Sequence, residues 1–220
     1  MKKEEWIFNR RRNLLRKETH AQKKFRKLLD KENVFYVREQ PAFKLSMEFS
    51  CFMDCYIPYY QLDIEIDGRQ HRYVERFDKD TKKADFLWED RIATIHLTNQ
   101  EVEEMEDLDM EKLWEKVPIN QRIESERIKS QQMGGWVKFY TAKQIDLEKE
   151  IFLYSTENDM TYRFSNILEL QRSIHYDSDK ILSILKQEKR SNIFVSFIQS
   201  ELNEMIDNWR GNMNNKNDSI

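Results

Sequence analysis

The chain has only two cysteines, Cys51 and Cys55. Four residues apart on a strand, they would share a face but lie too far apart to bond. Both read as reduced core thiols, which suits a cytosolic protein. Histidine is also scarce, with four scattered through the sequence. That leaves too few nearby ligands for a zinc site. No run of about 18 apolar residues is present, which removes a transmembrane helix. The first residues, "MKKEEWIFNRRRNLLRK", are basic but lack the apolar core of a secretory signal.

What is present suits a globular chain. Its 220 residues allow one large or two small domains. Charged residues are 35%, above the average for a domain, yet 12% aromatics and nine Met can fill a core. The net charge of −3 does not announce a nucleic-acid partner. Its distribution says more. Residues 1–30 carry eleven basic side chains against four acidic ones, a net +7, while residues 60–120 run acidic. A basic arm beside an acidic centre suits a phosphodiester enzyme, since the arm attracts phosphates and the centre holds cations. A solvated basic helix would carry the same charge.

From Arg10 to Lys31 the apolar residues Leu14, Leu15, Ala21, Phe25, Leu28 and Leu29 fall at helical spacing. Two strands are expected next. In "FSCFMDCYI" Phe49, Cys51, Met53, Cys55 and Ile57 alternate, leaving Asp54 on the opposite face. "LDIEID" alternates strictly. Between them "PYYQ" reads as a turn. "FDKDTKKADFLWEDR" predicts a helix with Asp78 or Asp80 near its start, "IATIHLT" a third strand, and "NQEVEEMEDLDMEKLWEKV" an acidic helix ending before Pro118. The fold expected for residues 1–117 is mixed α/β. Residues 118–135 read as a polar linker ended by Gly134 and Gly135. "WVKFYTAKQIDLEKEIFLYS" is ambiguous. Two short helices follow, in "SNILELQRSI" and "SDKILSILKQ", with Ser165 and Ser178 at the N-cap positions. "NIFVSFIQSELNEMIDNW" is apolar at helical spacing, and residues 210–220 look disordered.

If "PYYQ" is a four-residue hairpin loop, Ile57 pairs with Leu62, Cys55 faces Ile64, and Asp54 faces Glu65. Cross-strand partners share a face within roughly 5 Å. Asp67 follows on that face, with Asp63 nearby. Like charges opposite one another destabilise a sheet, so three bunched carboxylates call for a cation. Hard oxygen ligands suit Mg2+ or Mn2+. A solvated, merely tolerated acidic face is the alternative. The following "GRQH" argues against it, because Gly68 permits a sharp exit and His71 can then return toward the carboxylates.

The segments "MDCYIPYYQLDIEIDGRQH" and "DKDTKKADFLWEDRIATIHLTNQEV" resemble the very-short-patch-repair-like branch of the PD-(D/E)XK nuclease superfamily. Matching positions are Asp54; Glu65, Asp67, Gly68 and His71; Asp80, Lys83 and Leu87; and Asn99, Glu101 and Val102. The acidic–His–Asp set is also similar to the EDxHD homing endonucleases. The resemblance covers roughly residues 10–105. It implies a restriction-endonuclease-like mixed sheet flanked by helices, and Mg2+-dependent (or Mn2+-dependent) hydrolysis of phosphodiesters in double-stranded DNA. Asp54, Glu65 and Asp67 would hold the metal. His71 would be general base or stabilise the leaving group, and Asp80 would orient it or bind a second metal. Arg10, Arg11, Arg12 and Lys83 would meet DNA. Three departures stand out. Gln22 occupies the place of a first-helix Glu, where it could orient water or touch phosphate. Lys83 replaces an Arg. Asp67 stands where the wider superfamily has Lys. His96 reads as an ordinary strand residue.

"IFLYSTENDMTYRFSNILELQRSIHYDSDKILSILKQEKRS" resembles the small DNA-binding repeats of homing endonucleases, through Tyr154, Phe164, Ser165, Ile167, Ser178, Ile181 and Ile184. It implies a small, mainly α helix-turn-helix module over residues 136–209. Ser178, Lys180 and Lys186 would lie at the groove, and Lys189 and Arg190 near phosphates. An ordinary helical hairpin that packs on the nuclease or binds protein is the alternative. The combined expectation is a site-specific DNA endonuclease of a phage or mobile element, acting in the cytoplasm of a bacterial host. It needs neither membrane nor small-molecule cofactor. A repair or restriction-type nicking nuclease, and a DNA-binding protein with a nuclease fold that has lost cleavage, are the alternatives.

Overall fold

A computed structural model of the chain describes residues 3–43, 50–67, 74–186 and 192–217, with backbone alone for 3, 4, 43, 74–79 and 211–217. Its contacts divide into two compact units, Met1–Lys129 and Ser130–Ile220.

The first unit begins with α1 (Lys3–Leu15) and α2 (His20–Lys31). The single helix expected over Arg10–Lys31 is therefore interrupted. The cause is local: "THAQ" is a capping box, in which the Thr19 hydroxyl accepts from the Gln22 amide and the Gln22 side chain accepts from the Thr19 amide. Such a box starts a new helix. Ala21, Phe25, Leu28 and Leu29 then form the buried stripe of α2.

A sheet follows, in the order β1 (Val37–Phe43), β2 (Ser50–Ile57), β3 (Leu62–Asp67) and β4 (Ala93–Thr98). Strand β1 has no clear sequence signature. "VREQPAF" contains Pro41, which suits an edge strand because proline cannot donate to a ladder. β1–β2 and β2–β3 are antiparallel, and β3–β4 are parallel. The parallel pair requires a crossover, and α3 (Val74–Glu89) supplies it. The β2–β3 hairpin has the register its loop length predicts, with Ile57 opposite Leu62 and Cys55 opposite Ile64. "PYYQ" closes it as a 3-10 turn over Pro58–Tyr60, ending with Gln61 in the left-handed region at φ 49°.

The acidic helix expected after β4 is two short ones, α4 (Asn99–Glu104) and α5 (Met110–Glu115). Thr98 with Glu101 forms a capping box for the first, and the Asp109 carboxylate caps the second. One core joins α2 to Cys55, Ile57, Leu62, Ile64, Ile66, Ile95, Leu97, Val102 and Trp114. A smaller cluster joins Cys51 and Met53 to Phe86 and Leu87 of α3. The alternating apolar row of β2 thus divides between two clusters at Asp54. Both cysteines are buried and unbonded.

The polar stretch expected as a linker is helical. α6 (Ile119–Ala142) runs through Gly134 and Gly135, which therefore do not end it. Its Gln, Glu, Arg and Lys residues are good helix formers and outweigh two glycines at about 1 kcal/mol each. The second unit carries a sheet that the mainly α expectation omitted, β6 (Met160–Phe164), β5 (Ile151–Ser155) and β7 (Ile193–Ser196) in that order. β7 is the start of "NIFVSF", read above as helical. Four apolar or small residues cannot separate strand from helix by period alone. The two expected helices are α7 (Ile167–Ile174) and α8 (Ser178–Leu185). Their caps are Asn166 and Asp177, one residue from Ser165 before α7 and from Ser178 at the start of α8. α9 (Gln199–Asn217) carries helix well into the tail expected to be disordered. No helix among the described residues is long and apolar enough to cross a membrane.

Candidate active site

The hairpin builds the site. Beyond the Cys55–Ile64 pair, side chains take over ladder positions. The Asp54 amide donates to Glu65 Oε1 at 3.1 Å, and the Ile66 amide donates to Asp54 Oδ2 at 3.3 Å. Each carboxylate is therefore held against the neighbouring strand's backbone. Gln22 Nε2 donates to Asp54 Oδ2 at 3.3 Å, so α2 reaches the same carboxylate. Gln22's position in the capping box aims it there.

Lys83 comes from α3 on the other element flanking the hairpin. Its ammonium contacts Glu65, donates to the Phe52 carbonyl at 2.5 Å, and lies 3.2 Å from Asp63. The Asp63 side chain has no solvent exposure, and that of Lys83 has 13%. Asp63 was expected beside the site without a role; it is the buried carboxylate under the lysine. Lys83 was expected to meet DNA, and the structure instead places its charge inside the carboxylate cluster.

The charges set one another's proton affinities. Burial, then the Glu65 charge, raises Asp54 to about 6. Burial and Glu65 push Asp63 well above the usual carboxylate range. Burial opposes ionisation of Glu65 too, but Lys83 and its hydrogen bonds outweigh that and hold Glu65 below its ordinary value. Lys83 touches Glu65 and Asp63, and its charge also opposes the rise at Asp54.

A fourth acid was not legible in the sequence. Glu39 on β1 falls where the β1–β2 register skips a pair, opposite Asp54, with φ at 46°. A left-handed non-glycine residue inside a strand is strained backbone. Arg11 braces it, its guanidinium donating to the Glu39 carbonyl at 3.0 Å and to the Arg38 carbonyl at 2.8 Å. Burial, Asp54 and Glu65 together raise Glu39 to about 8. Glu39, Asp54 and Gln22 line a small, partly open cavity with Leu14, Arg26 and Arg38.

Asp67 lies at the outer end of the acidic face. Its Oδ2 meets His96 Nδ1 at 2.9 Å. Asp80 sits half-buried on α3 three residues before Lys83 and is not among the carboxylates that Lys83 engages. His71, with Gly68, lies outside the described residues. Among the described residues no three side chains from His, Cys, Asp and Glu form a ligand group for one ion. The expected trio of Asp54, Glu65 and Asp67 is thus not assembled as such. Mg2+ binds through one or two carboxylates, completed by waters and substrate phosphate. Asp54 and Glu65 fit that requirement as two carboxylates on adjacent strands, each held against the other strand's backbone.

Of the residues expected to meet DNA, Arg10 and Arg12 are exposed on α1. Arg11 is committed to β1. Ser178 exchanges hydrogen bonds with Gln171 at 3.0 and 3.2 Å. Lys180 and Lys186 are exposed, and Lys180 Nζ stands 3.4 Å above the Tyr176 ring. Lys189 and Arg190 lie outside the described residues. Compared with protein-family models, curated proteins and solved structures, the chain matches none.

Proposed function

We propose that residues 1–129 form a metal-dependent endonuclease that hydrolyses phosphodiester bonds in double-stranded DNA, and that residues 130–220 read the target. The carrying observation is the Asp54–Glu65 arrangement: two carboxylates on adjacent strands, pinned by backbone amides and flanked by Gln22 and Lys83. Asp54 and Glu65 would hold Mg2+ or Mn2+, which when bound polarises the scissile phosphate and lowers the pKa of its water. Gln22 keeps Asp54 aimed at the cavity. Lys83 keeps Glu65 ionised. A cleaving domain joined to a reader is what a site-specific, homing-type endonuclease requires, because phosphate contacts alone carry no sequence.

One observation favours a second reading. Lys83 already neutralises part of the cluster, and no trio of ligands is preassembled among the described residues. A nuclease fold retained for DNA binding alone would tolerate that. Nicking of supercoiled plasmid in Mg2+ separates the two. Wild type should cut, and Asp54→Asn and Glu65→Gln should each lose at least about a hundredfold. A wild type that retards DNA on a gel yet never cuts it supports the second reading. Undiminished cutting by Asp54→Asn would place the catalytic centre elsewhere.

A further inference from the structure

The cavity that Asp54 lines also has a basic wall. Arg26 of α2 and Arg38 of β1 belong to it, together with Glu18. The two arginines are not equally served. Arg26 holds Glu18 closely, its Nη2 donating to Oε2 at 2.7 Å. Arg38 reaches Glu18 only at 3.9 Å, its one ion pair among the described residues. The Arg38 side chain is 19% exposed. Its Nε is sealed from solvent and has no hydrogen-bond partner among the described residues. A guanidinium carries five donors in a fixed fork, and buried donors are normally paired because leaving them unmade is costly. Arg38 is therefore a mostly buried cation with donors to spare, on the wall of a partly open cavity. The backbone points the same way. Arg38 precedes Glu39, whose φ of 46° is strained, and Arg11 clamps both carbonyls at 2.8 and 3.0 Å. Strain fixed from outside in this manner clusters at ligand sites. Helix α1, which carries the exposed Arg10 and Arg12, closes the same cavity through Leu14 and Leu15. A basic surface that continues into the cavity suits a polyanion better than a small free anion.

We infer that Arg38 is a subsite for a backbone phosphate of the DNA, in the cavity that Asp54 lines; this rests on the nuclease reading above. A phosphodiester offers two unbridged oxygens, which the guanidinium fork matches with two parallel hydrogen bonds. The contact holds the strand against β1 and reads no base. Arg26 keeps Glu18 engaged, so that carboxylate does not take the place of the phosphate. Arg38 takes no part in breaking the bond, and its loss falls on binding.

The test uses the full-length protein and labelled duplex DNA, with divalent ions withheld so that binding is read without cutting. Arg38→Gln should bind about 10–100-fold more weakly than wild type, the range for hydrogen bonds to a charged group. Its slope of log affinity against log salt should be smaller by about 0.9. Arg38→Lys keeps the charge but loses the fork, so it should keep the wild-type slope and still bind more weakly. Single methylphosphonates, each replacing one phosphate charge by a methyl group, then locate the contact. One position should weaken wild type and leave Arg38→Gln unchanged. An Arg38→Gln protein with the wild-type slope overturns the inference and marks a structural role. So does an Arg38→Gln protein that every methylphosphonate weakens as much as it weakens wild type. Wild-type affinity in Arg38→Lys overturns it as well, and that variant decides the matter if Arg38→Gln does not fold. A slope that ignores Arg38, beside a thermal midpoint that rises with inorganic phosphate, would make the cavity a site for free phosphate and overturns it too. A wild type that binds duplex DNA but cuts none in Mg2+ removes the nuclease reading, and the slope still decides Arg38. A wild type that binds no duplex removes both.

Discussion

Lys83 Nζ lies 3.2 Å from a carboxylate oxygen of Asp63, a side chain with no exposure to solvent. The pair joins the crossover helix α3 to the inner strand β3. With Glu65 it forms one buried ionic group, so its members stand or fall together. Removing one partner of a buried pair leaves an uncompensated charge and costs about 3–5 kcal/mol. Lys83→Met should therefore unfold at much lower urea than wild type. Adding Asp63→Asn to that variant removes one stranded carboxyl and should recover part of the loss. Equal midpoints for Lys83→Met and wild type would show that the group does not hold the sheet together.

The carboxyls also make stability depend on pH. Asp54 is raised to about 6 and Glu39 to about 8, against about 4 for ordinary carboxylates in an unfolded chain. Both therefore hold protons more tightly when folded. Their contribution is complete below the unfolded value and disappears as pH rises through the folded one. Between about pH 4 and 8 these two groups weaken the fold as pH increases. Glu65, held low by Lys83, works the other way and has finished titrating below that window. Denaturant titrations at several pH values should show the decline, and Glu39→Gln should flatten its upper half. A Glu39→Gln curve parallel to wild type would mean that Glu39 is not buried against Asp54.

Gln22 serves two structures at once, the α2 cap and the Asp54 carboxylate. Gln22→Ala should lose about 1 kcal/mol through the cap alone. Gln22→Glu keeps the capping geometry but adds a carboxylate beside Asp54. It should be less stable than wild type without divalent ions, and its thermal midpoint should rise more when Mg2+ is added. Identical Mg2+ shifts in the two proteins would argue against a cation at Asp54.

The second unit's part in binding can be read from salt. Each phosphate contact contributes about 0.9 to the slope of log affinity against log salt. Lys180 and Lys186 are the exposed cations at the two ends of α8. Replacing both with Ala should lower the slope by nearly two for duplex DNA. An unchanged slope would remove α8 from the interface and favour a hairpin that binds something else.

Much of the first unit was legible before folding. The alternation of "LDIEID" and a four-residue loop are both local, and together they set which residues of β2 and β3 oppose each other. That arithmetic placed Asp54 against Glu65. The capping box in "THAQ" was also local, yet the helical spacing around it masked the break. Caps shifted by one residue at α7 and α8 because Ser, Asn and Asp compete for the same role, and only backbone geometry selects among them.

Three partners of the site were out of reach. Lys83 looked like a phosphate contact, because nothing in its own helix says which face packs on the hairpin. Glu39 sits in an edge strand that carries a proline and no alternation. His96 reaches Asp67 only because β4 pairs in parallel with β3. Local sequence determined the hairpin, its carboxylates and the helix starts, because turns, caps and period-two alternation act over a few residues. Tertiary structure alone decided which cation neutralises those carboxylates, which fourth acid joins them and which histidine stands beside them. Those contacts close over long stretches of chain, and only the packing of α3 and β1 against the hairpin selects them.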